Sequence, residues 1–308
     1  MKEKIFKLKT KTFWAAMFWP GLFFAIGIWR YLVTGGLFYI FIFGYIGLAI
    51  AIGAIVTDGL IDKYKPWGRR VTQLLIGVFM FGFLGLLGHE NMQIEGFYFY
   101  LFAGVFAGAT LHYLIAKLIG PLVFGRAWCG WACWTMMVLD FFPWKVPQNG
   151  RIKYLGLIRY IHFALATAGV VVLIFLYDYG PREHYESQFY WLIIGNTAYY
   201  LLAIILAAIL KDNRAFCKYI CPIPVTQKIL SRFSISKQQI DNVLCDECEI
   251  CEENCPMDIK LLDYSRNNQR ILSTECILCN TCLYNCPSDA IKTTNKFDIG
   301  IKEFINFK

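Results

Sequence analysis

Six stretches of this 308-residue chain are long and apolar enough to cross a hydrocarbon layer of about 30 Å, which takes about 20 residues of helix. They run over 13–33, 37–56, 71–87, 97–119, 154–176 and 190–210. Charge is nearly absent inside them, as expected where a central charge costs about 2.5–3.5 kcal/mol on insertion scales. Arg30, Lys117 and Arg159 fall near span ends, where long side chains are expected to reach the interface. Trp14, Trp19, Trp29, Tyr190 and Trp191 suit an interfacial aromatic belt. A hydrophobic share of 57% is more than a single soluble core of this length absorbs. The start is basic, and the apolar run after it exceeds a signal h-region, so it reads as a first span rather than a removable leader.

The net charge of +8 is unevenly spread. Lys2, Lys4, Lys7, Lys9 and Lys11 precede the first span. Lys63, Lys65, Arg69 and Arg70 follow the second, and Arg126, Lys145, Arg151 and Lys153 follow the fourth. The alternate segments carry Glu90 and Glu95, or Arg182, Glu183 and Glu186. This asymmetry speaks for topology rather than nucleic-acid binding, and it predicts a multi-pass protein of the inner (cytoplasmic) membrane with both termini in the cytoplasm.

From about residue 211 polar residues, prolines and cysteines replace the apolar runs. The expected division is a six-span domain over 1–234 and a small domain over 235–308, with 227–242 as a short connecting helix and 292–308 as a tail. The fold class is mostly α: a six-helix transmembrane bundle, and a C-terminal α+β domain whose cysteine runs from Cys245 to Pro256 and from Cys276 to Pro287 resemble those of bacterial-type, two-cluster ferredoxin-like domains.

All twelve cysteines lie in four tight clusters, and none precedes residue 129. Cys245, Cys248, Cys251, Cys255 and Pro256 form C-x-x-C-x-x-C-x-x-x-C-P, and Cys276, Cys279, Cys282, Cys286 and Pro287 repeat it. Three thiolates on one tight loop suit three corners of a cubane, and in two-cluster ferredoxins the fourth cysteine serves the other cluster. This assigns Cys245, Cys248, Cys251 and Cys286 to one [4Fe-4S] cluster, and Cys276, Cys279, Cys282 and Cys255 to a second. Zinc ribbons pair two knuckles across a longer gap and do not use this run with its proline. Acidic residues bracket the first motif: Asp246, Glu247, Glu249, Glu252 and Glu253. They lower that cluster's potential, form a docking patch for a basic partner, or make a solvated face.

Two C-x-x-x-C elements, Cys129/Cys133 and Cys217/Cys221, each follow a span predicted to end in the cytoplasm. If spans four and six are neighbours, four thiolates converge at one depth. A third Fe-S cluster, another soft metal such as copper, thiol redox chemistry and a structural role are all open readings. Arg126 and Lys218 beside them either balance a thiolate cluster or serve as positive-inside residues.

The run Gly125-Arg126-Ala127-Trp128-Cys129-Gly130-Trp131-Ala132-Cys133, the second C-x-x-x-C and the double ferredoxin motif together resemble membrane-bound 4Fe-4S polyferredoxins of the NapH/NosR type. The resemblance covers about residues 97–295 and is closest to the compact quinol-oxidising kind, with two extra N-terminal spans. Trp134 departs from the pattern, standing where the family usually has proline after the second cysteine, whereas Pro222 follows Cys221.

Four histidines remain. His89 and His184 are placed in outer loops, and His112 and His162 inside spans four and five. The last two are read as bundle hydrogen-bonding residues, a quinone-site proton acceptor, or axial haem ligands. The expected function is electron transfer between a quinone pool or membrane partner and a redox protein, by a subunit of a quinol-dependent oxidoreductase. The rival is an assembly factor handling copper or thiols for a respiratory oxidoreductase.

Overall fold

The computed structural model describes residues 9–61, 64–105, 108–180 and 185–298. They are mostly α-helical, with one two-stranded sheet near the C-terminus. The chain divides into two compact units, 1–76 and 77–308.

In the first unit α1 (Thr10–Thr34) and α2 (Phe38–Gly59) form a hairpin, turned at Gly35, whose left-handed backbone (φ 72°) lets its N–H cap the Tyr31 carbonyl at 2.7 Å. Their contact is built on small residues: a Cβ at Gly47 would stand 2.9 Å from the Pro20 Cα. Without a hydrophobic drive between helices in lipid, such close backbone approach is what packs them. The third long helix starts as α3 (Pro66–Val78), whose first part closes this unit, and continues as π-helical turns over Phe79–Leu87.

The second unit corrects the expectation of one straight span over 97–119. The helix α4 (Ile94–Phe102) ends at Gly104, which takes φ 66°, and the chain reverses into α5 (Gly108–His112). Phe97 and Tyr113 would be about 24 Å apart on a straight helix, yet their rings stack at 4.3 Å. Hydropathy cannot distinguish one long span from a folded-back pair of equal composition, and the left-handed glycine decides it. From α5 the chain continues through π-helical turns at Tyr113–Ile119 into α6 (Gly120–Phe124). It then bends into α7 (Ala127–Trp131) and α8 (Trp134–Leu139). The stretches Thr110–Phe124 and Ala127–Leu139 meet at 104°. Among the described residues five helices are long and apolar enough to cross a membrane, and this bent pair makes a sixth candidate. Two of the five are α9 (Ile158–Leu176) and α10 (Tyr185–Leu210).

After α10 come α11 (Ala215–Tyr219) and α12 (Ile223–Ser231). The connecting helix expected over 227–242 stops at Ser231, because residues 236–240 are a strand, β1 (Ser236–Ile240). It pairs antiparallel with β2 (Ile291–Asn295), from Ser236 opposite Asn295 to Ile240 opposite Ile291. What holds it extended is tertiary: Gln238 bonds Asn280 and Thr293, and Lys237 donates to the Ser234 and Arg232 carbonyls. The start of the expected C-terminal tail is thus strand; Asp298 pairs with Arg270 and Lys237, and the remainder lies outside the described residues. Between the strands lie α13 (Ile250–Glu253), α14 (Leu261–Arg266) and α15 (Thr281–Tyr284), around a core including Met257, Leu262, Tyr264 and Leu272. Buried Cys129 belongs to the same apolar cluster, so the tail's core runs into the rim.

Candidate metal centres

The two C-x-x-x-C elements fold alike. Each first cysteine lies in a five-residue helix, α7 or α11, begun by an arginine in nearly the same conformation: Arg126 (φ −93°, ψ 29°) and Arg214 (φ −100°, ψ 7°). Each second cysteine sits at the break before the next helix. Cys129, Cys133, Cys217 and Cys221 all line one cavity, with about 570 Å³ of free space between its walls, part of it open to the exterior. Trp128, Phe216, Pro222, Lys117 and Tyr199 complete much of that wall. Trp134 turns its indole N–H to Asn196 at 2.9 Å and its face to Lys117.

The tail forms two further cavities. Cys245, Cys248, Cys251 and Cys286 line one of about 280 Å³, and Cys255, Cys276, Cys279 and Cys282 line another of about 350 Å³. Their loops are conformational copies, with left-handed residues at Glu247 and Leu278, Glu249 and Asn280, and Asp258 and Asp289. Such turns aim backbone N–H groups inward, an arrangement that suits anionic sulfur. Cys248 is exposed, whereas Cys251, Cys255 and Cys279 are buried.

The rim loop packs directly on the loop that lines the second tail cavity. A Cβ at Gly130 would meet the Ile277 carbonyl oxygen at 2.3 Å, and the Trp131 indole donates to the Leu278 carbonyl at 2.8 Å. Beside this seam Glu275 is buried among four cations: Arg126 at 2.6 Å, Arg159 at 3.0 Å, Arg151 at 3.1 Å, and Lys228. Burial pushes its carboxyl up, but the four cations together outweigh that and hold it well below the usual carboxylate range. On the other side Lys218, fully buried, bridges Asp212 at 2.7 Å and Asp258. Arg214 ties the Cys129 carbonyl at 2.8 Å to Asp140 at 2.5 Å.

These contacts correct two expectations. Arg159 does not reach for an interface: it is 2% exposed and paired with Glu275. Lys117, also 2% exposed, points among aromatic rings at the rim cavity. Arg159 has a partner inside the fold that compensates its buried charge, whereas Lys117 meets ring faces and has no ion pair among the described residues. Arg126 and Lys218, beside the rim cysteines in sequence, each pair with a tail carboxylate.

His162 is held on both ring nitrogens. Nδ1 donates to the Ile220 carbonyl at 2.9 Å, and Nε2 is hydrogen-bonded to the Tyr199 hydroxyl at 3.0 Å, which also reaches Glu95 at 3.5 Å. His112 packs edge-on against Trp128, with its Nε2 unpartnered among the described residues. His89 stacks on Phe189, and His184 lies outside the described residues.

The donor set fits iron-sulfur chemistry. Soft thiolates in fours suit such clusters, and the cavities leave room between the sulfurs. Among the described residues no three His, Cys, Asp or Glu side chains converge as they would on a single metal ion. Thiol exchange needs a readily formed thiolate, but burial raises the Cys217 thiol well above its usual range and takes Cys221 to about 12. Thiols so raised give up their protons on metal binding.

Sequence reasoning missed Glu275, Arg214, Asp140 and Asp258. One signal was available for Arg214: Arg214-Ala215-Phe216-Cys217 repeats Arg126-Ala127-Trp128-Cys129. Glu275 carries no signal beyond adjoining Cys276, because its four partners are spread from residue 126 to residue 228.

Comparison with known proteins follows the same division. A 4Fe-4S dicluster domain family matches residues 237–287, and a 4Fe-4S binding domain family matches twice, over 106–150 and 197–240. An uncharacterized protein of Methanocaldococcus jannaschii is 30% identical over 220 residues, covering 66% of this chain and 84% of the relative. The ferredoxin-type protein NapH of Haemophilus influenzae is 27% identical over 154 residues, 48% of this chain and 52% of that protein. The methylamine utilization ferredoxin-type protein MauN of Paracoccus denitrificans is 26% identical over 191 residues, 56% of this chain and 63% of that protein. No solved structure matches.

Proposed function

Since this chain belongs to the NapH-type family of membrane-bound 4Fe-4S polyferredoxins, we propose that it carries electrons between a membrane partner and a redox protein through three iron-sulfur sites. The observation that carries this reading is the sorting of all twelve cysteines into three cavities of four. Cys245, Cys248, Cys251 and Cys286 hold the outer site, and Cys255, Cys276, Cys279 and Cys282 the inner one. Cys129, Cys133, Cys217 and Cys221 hold the third, at the rim. The two matches to a 4Fe-4S binding domain fall on the two halves of that rim.

Bound clusters supply one-electron chemistry at each site. The chain's own work is placement. Trp131 and Gly130 seat the Cys276–Cys279 loop on the rim loop, so a hydrogen bond and a backbone contact join the inner site to the rim. Glu275 and Lys218 lock that register with buried charge pairs. Trp128 and Phe216 keep the rim cavity apolar.

In this reading the membrane-side partner is the quinone pool. Tyr199 lines the rim cavity, and its hydroxyl, bonded to His162 Nε2, is placed to relay a quinol proton to that ring. The tail lies on the cytoplasmic side, as the loop charges imply.

Iron and acid-labile sulfide per polypeptide, measured after anaerobic purification, test the three-site reading. About twelve irons are expected, falling to about eight in Cys129→Ala/Cys217→Ala. About eight irons in both proteins would confine the clusters to the tail.

A further inference from the structure

The rim cavity contains a cation that electron transfer alone does not require. Lys117 belongs to the π-wound stretch Tyr113–Ile119, a form of helix often found at functional sites. Its side chain is buried and lines the cavity ringed by Cys129, Cys133, Cys217 and Cys221. The ammonium stands 4.2 Å from the centre of the Tyr113 ring and 4.7 Å from that of Trp134. Among the described residues no carboxylate lies within ion-pairing distance of it. The neighbouring buried cations differ, since Arg126 has Glu275, Arg214 has Asp140, and Lys218 has Asp212 and Asp258.

A buried ammonium without a close counter-charge is strongly unfavourable, and ring faces offset only part of that. Buried Glu95 acts on it from beyond ion-pairing distance, so an anion inside the cavity would be its close partner. Four thiolates outweigh the positive charge of an iron-sulfur core, so a centre built on these cysteines is anionic and gains a further negative charge on reduction. A fixed cation favours the more negative state and draws the potential upward.

We propose that Lys117 is the counter-cation of the rim centre and raises its reduction potential. The proposal rests on the reading that the rim cysteines hold a cluster. It also gives Trp134 a role. The family's usual proline offers no ring face, whereas Trp134 seats the ammonium at the cavity wall while Asn196 fixes its indole.

The test is an EPR-monitored redox titration of the anaerobically purified full chain as wild type, Lys117→Met and Lys117→Arg, with iron counted in each. Lys117→Met is expected to lower the rim midpoint by at least a tenfold change in the reduction equilibrium, about 59 mV for one electron. Lys117→Arg is expected to stay close to wild type, and the tail signals to stay put in both. A rim midpoint unmoved by Lys117→Met at full iron content overturns the proposal. Should Lys117→Met lose the rim irons, their retention in Lys117→Arg supports a charge requirement, and their loss from both variants overturns it in favour of packing. A wild type with about eight irons and tail signals alone sinks the rim cluster, and this proposal with it. A third centre of unchanged potential sinks only Lys117.

Discussion

Removing the Glu275 carboxylate should loosen the tail from the rim more than any other single truncation at the seam. Glu275→Ala leaves Arg126, Arg151, Arg159 and Lys228 facing one another without the anion they share. Breaking a buried pair by deleting one partner costs about 3–5 kcal/mol, because the surviving charge stays buried and uncompensated. The ratio of seated to released tail should then fall by about 150- to 5,000-fold. Hydrogen–deuterium exchange reads this directly: amides in 126–131 and 273–279 should lose protection by a comparable factor. Glu247→Ala is the control, since its pair with Arg266 is half exposed on both sides and screened by solvent. Glu275→Gln, which keeps the shape and loses the charge, should fall between. Unchanged protection in Glu275→Ala, or equal losses in Glu275→Ala and Glu247→Ala, would refute the reasoning.

Two further outcomes follow from the same seam. Gly130→Ala places a methyl against the Ile277 carbonyl, which is backbone and cannot swing aside; reduction of the rim centre through the tail in stopped flow should slow at least tenfold with iron content intact. The Glu275 carboxyl is held below its unfolded value of about 4.3, so its contribution is fully present above that pH and is lost only as pH falls through the lower folded value. Protection of 273–279 should therefore be flat between about pH 5 and 8, and a loss in that window would contradict the charge cluster.

The long apolar runs were legible because a membrane leaves a helix little else to be, and α1, α2, α9 and α10 lie where composition puts them. The fourth run was not, because α4 and α5 share the hydropathy of one straight span and differ from it only at the backbone of Gly104. β1 was hidden for a related reason. Ser236–Ile240 has little β-branched or aromatic content, and it is extended only because Arg270, Asn280 and Thr293 engage it or its partner strand. Around the rim, the cysteines announce themselves by spacing, whereas the buried charges do not. Arg159 and Lys117 look like interfacial residues until Glu275 and the cavity are placed beside them.

The short path from α10 to β1 has a consequence for how the protein can exchange electrons. α11 and α12 follow α10 almost without slack, and the Ile235 amide donates to the Leu122 carbonyl at 2.9 Å, so the tail is stitched to the rim before its first strand begins. A domain on a loose tether delivers charge by swinging between stations, at a rate set by tether length and solvent viscosity. In the seated form this tail is held on the rim, so in the three-site reading a redox partner would meet it on the side where Cys248 is exposed.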